Sequence, residues 1–520
     1  MEATKIEPRG AMTNASWNAF GTLFSIAITF LLAPLLIHHL GTDQWGLLLL
    51  VWSVTGVLGM ANFGVGEATL RFVAHYHADG DMKGVNRVLG STLTFYVSIC
   101  TLVSVVLFAA TPVVAKWVKV PTDGHYPVDW LLRLAALLFS FGMISNAYRS
   151  IPMALQRYDI SSKIGLGQSV VRSLGVILLV VAGLGPLQVV VWDVLVAAVM
   201  LGVQIVVARR LLPGVRWIPS MSFSGIREIL GYSMFSFLTH IFLTIYREGG
   251  KLILGNRVGT ASVAYLGTPD SIAHRLHTVV VSGIETLMPR FSASRDPENT
   301  KALLVTSTWT AVTCGVVLYL PLAVLMPDFL RLWINPEFAR ESAGVGQLLA
   351  LSFIAPSGFA PIATLFRGMG KPSFVTLVMA FAGVVVLVTT LLLVSSHGVL
   401  GVGYGYVLSA VAWLGGLVGG WLYLFGRRSI GLLLRVAGLP VVLGCGLGFA
   451  QVAFLGWCGE LNWMGLFVVG SAFAAVSAIV ILGVDRALGG NSPAGHVLGR
   501  ILRLERIDGL RRRIDLRRVL

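Results

Sequence analysis

The chain has 520 residues, 56% of them hydrophobic and 12% charged, with a formal net charge of +15. Soluble globular chains carry roughly 25% charged residues, so this composition excludes a protein that gives its whole surface to water. The apolar residues come in runs of about 20 separated by short polar loops, and in a bilayer core such runs satisfy their own backbone only as helices; they do not alternate with period two, which excludes a transmembrane barrel.

In chain order, the first ten residues are polar and carry Lys5 and Arg9. The run after them is too long for a signal h-region and reads as a retained first span. Spans are predicted near 14–38, 45–66, 88–115, 131–155, 164–184, 187–208, 229–254, 259–288, 303–326, 343–366, 374–396, 399–425, 436–457 and 463–484. The fold class is therefore an all-α polytopic membrane protein of about fourteen transmembrane helices. Lys and Arg concentrate in alternate loops: Arg71, Lys83 and Arg87; Arg157 and Lys163; Arg209, Arg210, Arg216 and Arg227; Arg290, Arg295 and Lys301; Arg367 and Lys371; Arg427, Arg428 and Arg435. The intervening loops hold only Lys116, Lys119, Arg257, Arg331 and Arg340. The positive-inside rule then places both termini in the cytoplasm and explains the positive charge without nucleic acid. Cys100, Cys314, Cys445 and Cys458 have no metal or redox spacing, and no cofactor is expected.

The expected organisation is a cytoplasmic N-terminus (1–13), a six-helix bundle (14–208), a basic linker (209–228), a second six-helix bundle (229–426), helices 13 and 14 (427–484) and a tail (485–520). In the tail, Arg500, Arg503, Arg506, Arg511, Arg512, Arg513, Arg517 and Arg518 alternate with apolar residues, the pattern of a basic amphipathic helix on an anionic membrane surface. The two bundles echo one another. LGTDQWG (40–46) corresponds to VGTASVA (258–264), EATLRFVA (67–74) to ETLMPRFSA (285–293), and MALQRYDISSK (153–163) to ATLFRGMGK (363–371). The order and the predicted side are the same, so the repeat is parallel, an arrangement in which transporters bind substrate between halves.

LAPLLIHHLGTDQWG (32–46), NFGVGEATLRFVA (62–74), KLILGNRVGTASVAYL (251–266), MPRFS (288–292), LRLWINPEF (330–338) and ATLFRGMGKPS (363–373) together resemble bacterial polysaccharide-export proteins. The family is the Wzx-like oligosaccharide flippases of the multidrug/oligosaccharidyl-lipid/polysaccharide exporter superfamily. The resemblance runs from residue 14 to about 426 and rests on diffuse spacing of Gly, Pro and aromatic positions. It implies two six-helix bundles around a central cavity, with helices 13 and 14 appended. It also implies alternating-access transfer of an undecaprenyl-diphosphate-linked oligosaccharide across the bacterial inner membrane for cell-surface polysaccharide synthesis. The expected partners are that lipid-linked substrate, membrane lipids, a polysaccharide polymerase and chain-length machinery. REGGK (247–251) is denser in charge than the family pattern, so ion coupling does not carry over from relatives.

Charge at span depth costs about 2.5–3.5 kcal/mol on insertion scales and faces a cavity or a partner. Arg149, Arg172, Arg247, Lys251 and Arg275 are the candidate lining of a cavity for a diphosphate, since Arg offers phosphate a planar fork of donors. Arg247 and Lys251 share a helix face. The bland alternative is an ion pair with a neighbouring acid, or snorkelling for Arg149. Asp193, Glu248, Asp270, Glu285 and Glu67 are the ion-coupling candidates. Glu67 and Glu285, beside Arg71 and Arg290, read better as salt bridges at the cytoplasmic mouth. His240 and His277 lie on helices 7 and 8, and His38 and His39 read as interfacial. A drug antiporter of the same superfamily would favour acids and aromatics for its cationic substrates. A polymerase or glycosyltransferase needs a loop domain that these short loops do not supply.

Overall fold

The computed structural model describes residues 11–119, 127–213, 215, 219–220, 223–288, 291 and 297–487. Most of the arginine-rich tail thus lies outside the described residues, as do residues 289–290 and 292–293 of the 285–293 repeat. Among the described residues the secondary structure is helical, with no strand. The helices are α1 (Ala11–Leu58), α2 (Val65–Ala78), α3 (Met82–Trp117), α4 (Val128–Ala154), α5 (Tyr158–Val181), α6 (Pro186–Leu211), α7 (Phe223–Arg257) and α8 (Thr260–Glu285). They continue with α9 (Pro297–Trp333), α10 (Pro336–Ser352), α11 (Ile354–Gly368), α12 (Pro372–His397) and α13 (Val399–Phe425), then, after short helical turns at 427–438, α14 (Leu439–Cys458) and α15 (Trp463–Ala487). With α1 as two limbs, α2 continuing the second limb, and α10–α11 as one pass, these make the fourteen passes expected.

Particular residues set the breaks. Gly41 (φ 80°) divides α1 into two limbs, a conformation that a side chain would resist. Phe63 (φ 50°) and Gly64 (φ 69°) end that second limb and open α2. Asp81 caps α3 by accepting from the Gly84 amide at 2.9 Å, and Asn335 caps α10 by accepting from the Phe338 amide at 2.7 Å. Pro152 sits in the last turn of α4, and Gln156, left-handed at φ 56°, turns the chain into α5.

The chain groups into two compact units, Met1–Thr268 with Val386–Val402, and Pro269–Val385 with Gly403–Leu520. In the first, α3 packs on α4, α4 on α6, and both α5 and α7 on α1. Its core includes Val65, Val88, Leu93, Tyr96, Phe139 and Ile151. In the second, α9 packs on α10, α11, α14 and α15, and Trp421, Tyr319, Tyr406, Phe353 and Phe359 are buried. Arg331 ties α9 to the α14–α15 turn by donating to Glu460 at 3.0 Å and to the Leu461 carbonyl at 2.7 Å. Apolar side chains such as Leu178, Leu392, Phe449, Val442 and Trp457 are exposed, as expected of a surface solvated by lipid.

Candidate functional site

Among the described residues, eleven helical stretches are long and apolar enough to cross a membrane, and α8, 26 residues long, is not one of them. Helices α7 and α8 carry Arg247, Glu248, Lys251, Asp270, Arg275 and Glu285. Helices too polar for lipid are tolerated where protein or a water-filled path surrounds them.

The α7–α8 corner is held against the corner inside α1. The two are repeat equivalents, and Gly259 (φ 138°) matches Gly41 in its positive φ. Asp43 accepts from the Thr260 hydroxyl at 2.8 Å and from the Ala261 amide at 3.2 Å, so one repeat caps a helix of the other. The Trp45 indole donates to the Thr268 hydroxyl at 3.0 Å. Gly46 lies so close to the Thr260 carbonyl that any side chain there would collide with it. Alongside, the Lys119 amide donates to the Gly255 carbonyl at 3.0 Å, the Lys119 ammonium to the Arg257 carbonyl at 2.8 Å, and the Asn256 amide to the Trp117 carbonyl at 2.7 Å.

Deeper in the first unit, Arg172 on α5 grips Asp193 on α6 through Nε at 2.6 Å and a second guanidinium nitrogen at 2.9 Å. The Trp52 indole donates to the same carboxylate at 3.0 Å, and its ring lies 4.8 Å beneath the guanidinium. The carboxylate is buried, whereas the Arg172 side chain keeps 42% of its surface. A cavity-lining candidate and an ion-coupling candidate thus form one bidentate pair. With the Arg172 end partly open to solvent, screening weakens the pair, which ties α5 to α6 chiefly through the buried Asp193 carboxylate.

Glu248 accepts from Lys251 at 3.2 Å and from the Ser53 hydroxyl of α1 at 2.8 Å. Lys251 and Glu248 are both largely enclosed, at 12% and 15% exposure, whereas Arg247 on the same helix is exposed. At the other end of the second limb of α1, the rings of Phe63 and Phe237 stack 4.2 Å apart. His240 lies 3.3 Å from Glu67, with both side chains about half exposed.

In the second unit, Asp270 is buried one residue after the Pro269 bend of α8, and Arg275 is half-buried on the same helix. His274 and His277 flank the Phe353 ring at 5.6 and 5.1 Å, and His277 meets the Ser357 hydroxyl at 3.2 Å. Glu285, exposed at the end of α8, pairs with Arg367 at 3.3 Å. Arg149 is placed elsewhere: on the last turns of α4, exposed, in a small pocket with Gln168 and Gln204.

The pairs join residues far apart in sequence. Asp43, Trp52 and Ser53 went unnoticed as functional residues because their partners are 217, 141 and 195 positions away. Asp43 does lie in a repeat motif, which is the signal that could have found it. Gln204 also went unnoticed, and its polarity within the apolar run of α6 is the signal that could have found it.

The model of the family described as polysaccharide biosynthesis protein matches residues 11–295, and that described as MatE matches residues 233–392. An uncharacterized membrane protein, EpsK of Bacillus subtilis, is 23% identical over 395 residues, covering 72% of this chain and 76% of its own. Among solved structures, the lipid II flippase MurJ in an inward closed conformation superposes with a TM-score of 0.71 at 10% identity, over 91% of this chain and 98% of that one. An inward-facing multidrug resistance MATE transporter of the MOP superfamily superposes with a TM-score of 0.61 at 16% identity, over 78% and 94%. These likenesses give the fold, an all-α multi-pass membrane architecture, and the match over residues 11–295 gives the family: the chain belongs to the polysaccharide biosynthesis protein family.

Proposed function

We propose that the protein is a flippase that moves a polyprenyl-diphosphate-linked oligosaccharide across the bacterial inner membrane by alternating access, for cell-surface polysaccharide synthesis. What supports this reading is the charge set within two membrane-length helices, Arg247, Glu248 and Lys251 on α7 and Asp270 and Arg275 on α8. With the sidedness that Lys and Arg predict, both termini are cytoplasmic and the interlocked corners face outward. Arg247 and Lys251 meet the diphosphate, joined by Arg275, and Asp270 takes part in ion coupling. The Arg172–Asp193 pair braces the first unit. The protein thus acts as a transporter rather than an enzyme.

The test is leaflet-resolved transport in proteoliposomes of a polyprenyl-diphosphate oligosaccharide, comparing the unaltered chain with Arg247→Ala/Lys251→Ala. We expect the double variant to lose at least tenfold in initial rate; Lys251→Ala leaves enclosed Glu248 without its cation, so the single variant Arg247→Ala, which keeps that pair, should show a loss of rate at unchanged thermal stability in detergent. The match of residues 233–392 to the MatE model favours a second reading, a cation-coupled drug antiporter. Exchange of cationic dyes for protons, with no movement of any lipid-linked sugar, would replace the first reading by the second.

A further inference from the structure

The small pocket at the Arg149 end of the first unit has the chemistry of a ligand site. It is lined by Tyr148, Arg149 and Pro152 of α4, Ser161, Ile164, Gly165 and Gln168 of α5, and Gln204 and Val207 of α6. The turn that frames it is rigid. Arg157 at the start of α5 holds buried Asp159 at 2.9 Å, and its amide donates to the Pro152 carbonyl at 2.7 Å. The pocket wall therefore persists without a ligand.

Two polar atoms in this wall are buried without a hydrogen-bond partner, Gln204 Oε1 and Ser161 Oγ. Buried polar groups are nearly always paired, and an orphaned acceptor is destabilising. Arg149, exposed at the rim, makes no hydrogen bond or ion pair among the described residues. The pocket has a volume of about 80 Å³, enough for several water-sized groups and so for adjacent hydroxyls.

The donor and acceptor count selects the ligand class. The diphosphate diester of a lipid-linked sugar offers only acceptors and would by itself leave Gln204 Oε1 unpaired. A hydroxyl both donates and accepts, so it satisfies Gln204 Oε1 and accepts from Ser161 or Gln168. Arg149 at the rim suits an anion attached to the same ligand. We infer that this pocket binds a hexose 1-phosphate unit: vicinal hydroxyls of the ring enter between Gln204, Ser161 and Gln168, and the phosphate lies on Arg149. The inference rests on the flippase reading for its source, the sugar next to the diphosphate of the cargo. It adds that the first sugar and its phosphate dock at the α4–α6 end at a step of the cycle separate from the one in which the diphosphate meets Arg247 and Lys251.

The test uses the full-length chain in lipid nanodiscs and saturation-transfer NMR, with glucose 1-phosphate, N-acetylglucosamine 1-phosphate and inorganic phosphate as probes. Gln204→Leu removes the orphaned acceptor, so a purely structural role predicts equal or higher thermal stability and unchanged probe binding. We expect instead at least a fivefold loss of sugar-phosphate binding in Gln204→Leu and in Arg149→Gln, with Gln204→Glu retaining part of it. Lys371→Gln serves as a surface control with no loss. Inorganic phosphate should compete only weakly. Binding that is indifferent to both pocket variants, or inorganic phosphate bound as tightly as the sugar phosphates, overturns the inference. If the chain flips a lipid-linked sugar while probe binding ignores both variants, the pocket proposal falls and the flippase reading stands. If no lipid is flipped but binding depends on Gln204, the pocket stands and the flippase reading falls.

Discussion

The corner end of α1, α7 and α8 is closed in a different way from the opposite ends of the same helices. At the corner, Gly46 lies against a backbone carbonyl and Asp43 caps α8 from another repeat. At the opposite ends, Glu67 meets His240 and Glu285 meets Arg367, each at 3.3 Å and each partly open to solvent. Exposed ion pairs contribute about 0–1 kcal/mol because water competes for both partners. A glycine seat and a helix cap are contacts that water does not replace one for one. The difference teaches that one end is latched by shape, whereas the other is held by contacts that exchange readily with water.

Three substitutions test this contrast. Gly46→Val should have the largest effect, because the new side chain collides with the Thr260 carbonyl, and overpacking costs about 1–3 kcal/mol. A cysteine at Gln44, in a chain whose four native cysteines are replaced by alanine, should then be alkylated at least tenfold faster. An unchanged rate would show that the corner is loose and break the contrast. Asp43→Ala should come next, at about 0.5–2 kcal/mol for a lost cap, read as a lower melting temperature in detergent, with Asp43→Asn recovering most of it. The Glu285→Gln/Arg367→Gln pair should be smallest, within about 1 kcal/mol, and salt should erase the difference from the unaltered chain. A double-variant effect as large as that of Asp43→Ala would mean that the α8–α11 pair is itself a latch.

Much of the helical layout was legible, because apolar runs of bilayer length have few alternatives. The exceptions share one cause: hydropathy reports lipid contact and not where a helix bends. The span expected at 343–366 is two helices, α10 and α11, meeting at Phe353. The span expected to end at 66 continues, past the left-handed Phe63 and Gly64, as α2 to Ala78, whose polar face hid it. At the site, the charged residues were legible and their partners were not. Arg172 and Asp193 were read in different roles because nothing in their spacing announces that α5 and α6 bring them within 2.6 Å. Glu248 and Lys251 share a helix, so their pairing was open to sequence reading. The repeat made the corners visible as motifs, yet Asp43 has no repeat equivalent among acids, since Ala261 stands opposite it.

The grouping of Val386–Val402 with the first unit bears on how the protein is made. Val402 lies against Gly250 of α7, near enough that a methyl there would meet it at 2.6 Å, and Leu387 flanks Gly249. A ribosome that has delivered α1 to α7 into the membrane has therefore not finished the first unit. Its last pieces are the end of α12 and the start of α13, synthesised well over a hundred residues later. At roughly 5–20 residues per second, α7 waits for several seconds with this flank and its charged residues uncovered. The nascent chain is thus most exposed to chaperones and quality-control proteases during that interval, and a truncation before residue 386 should leave an insertion-competent but incomplete first unit.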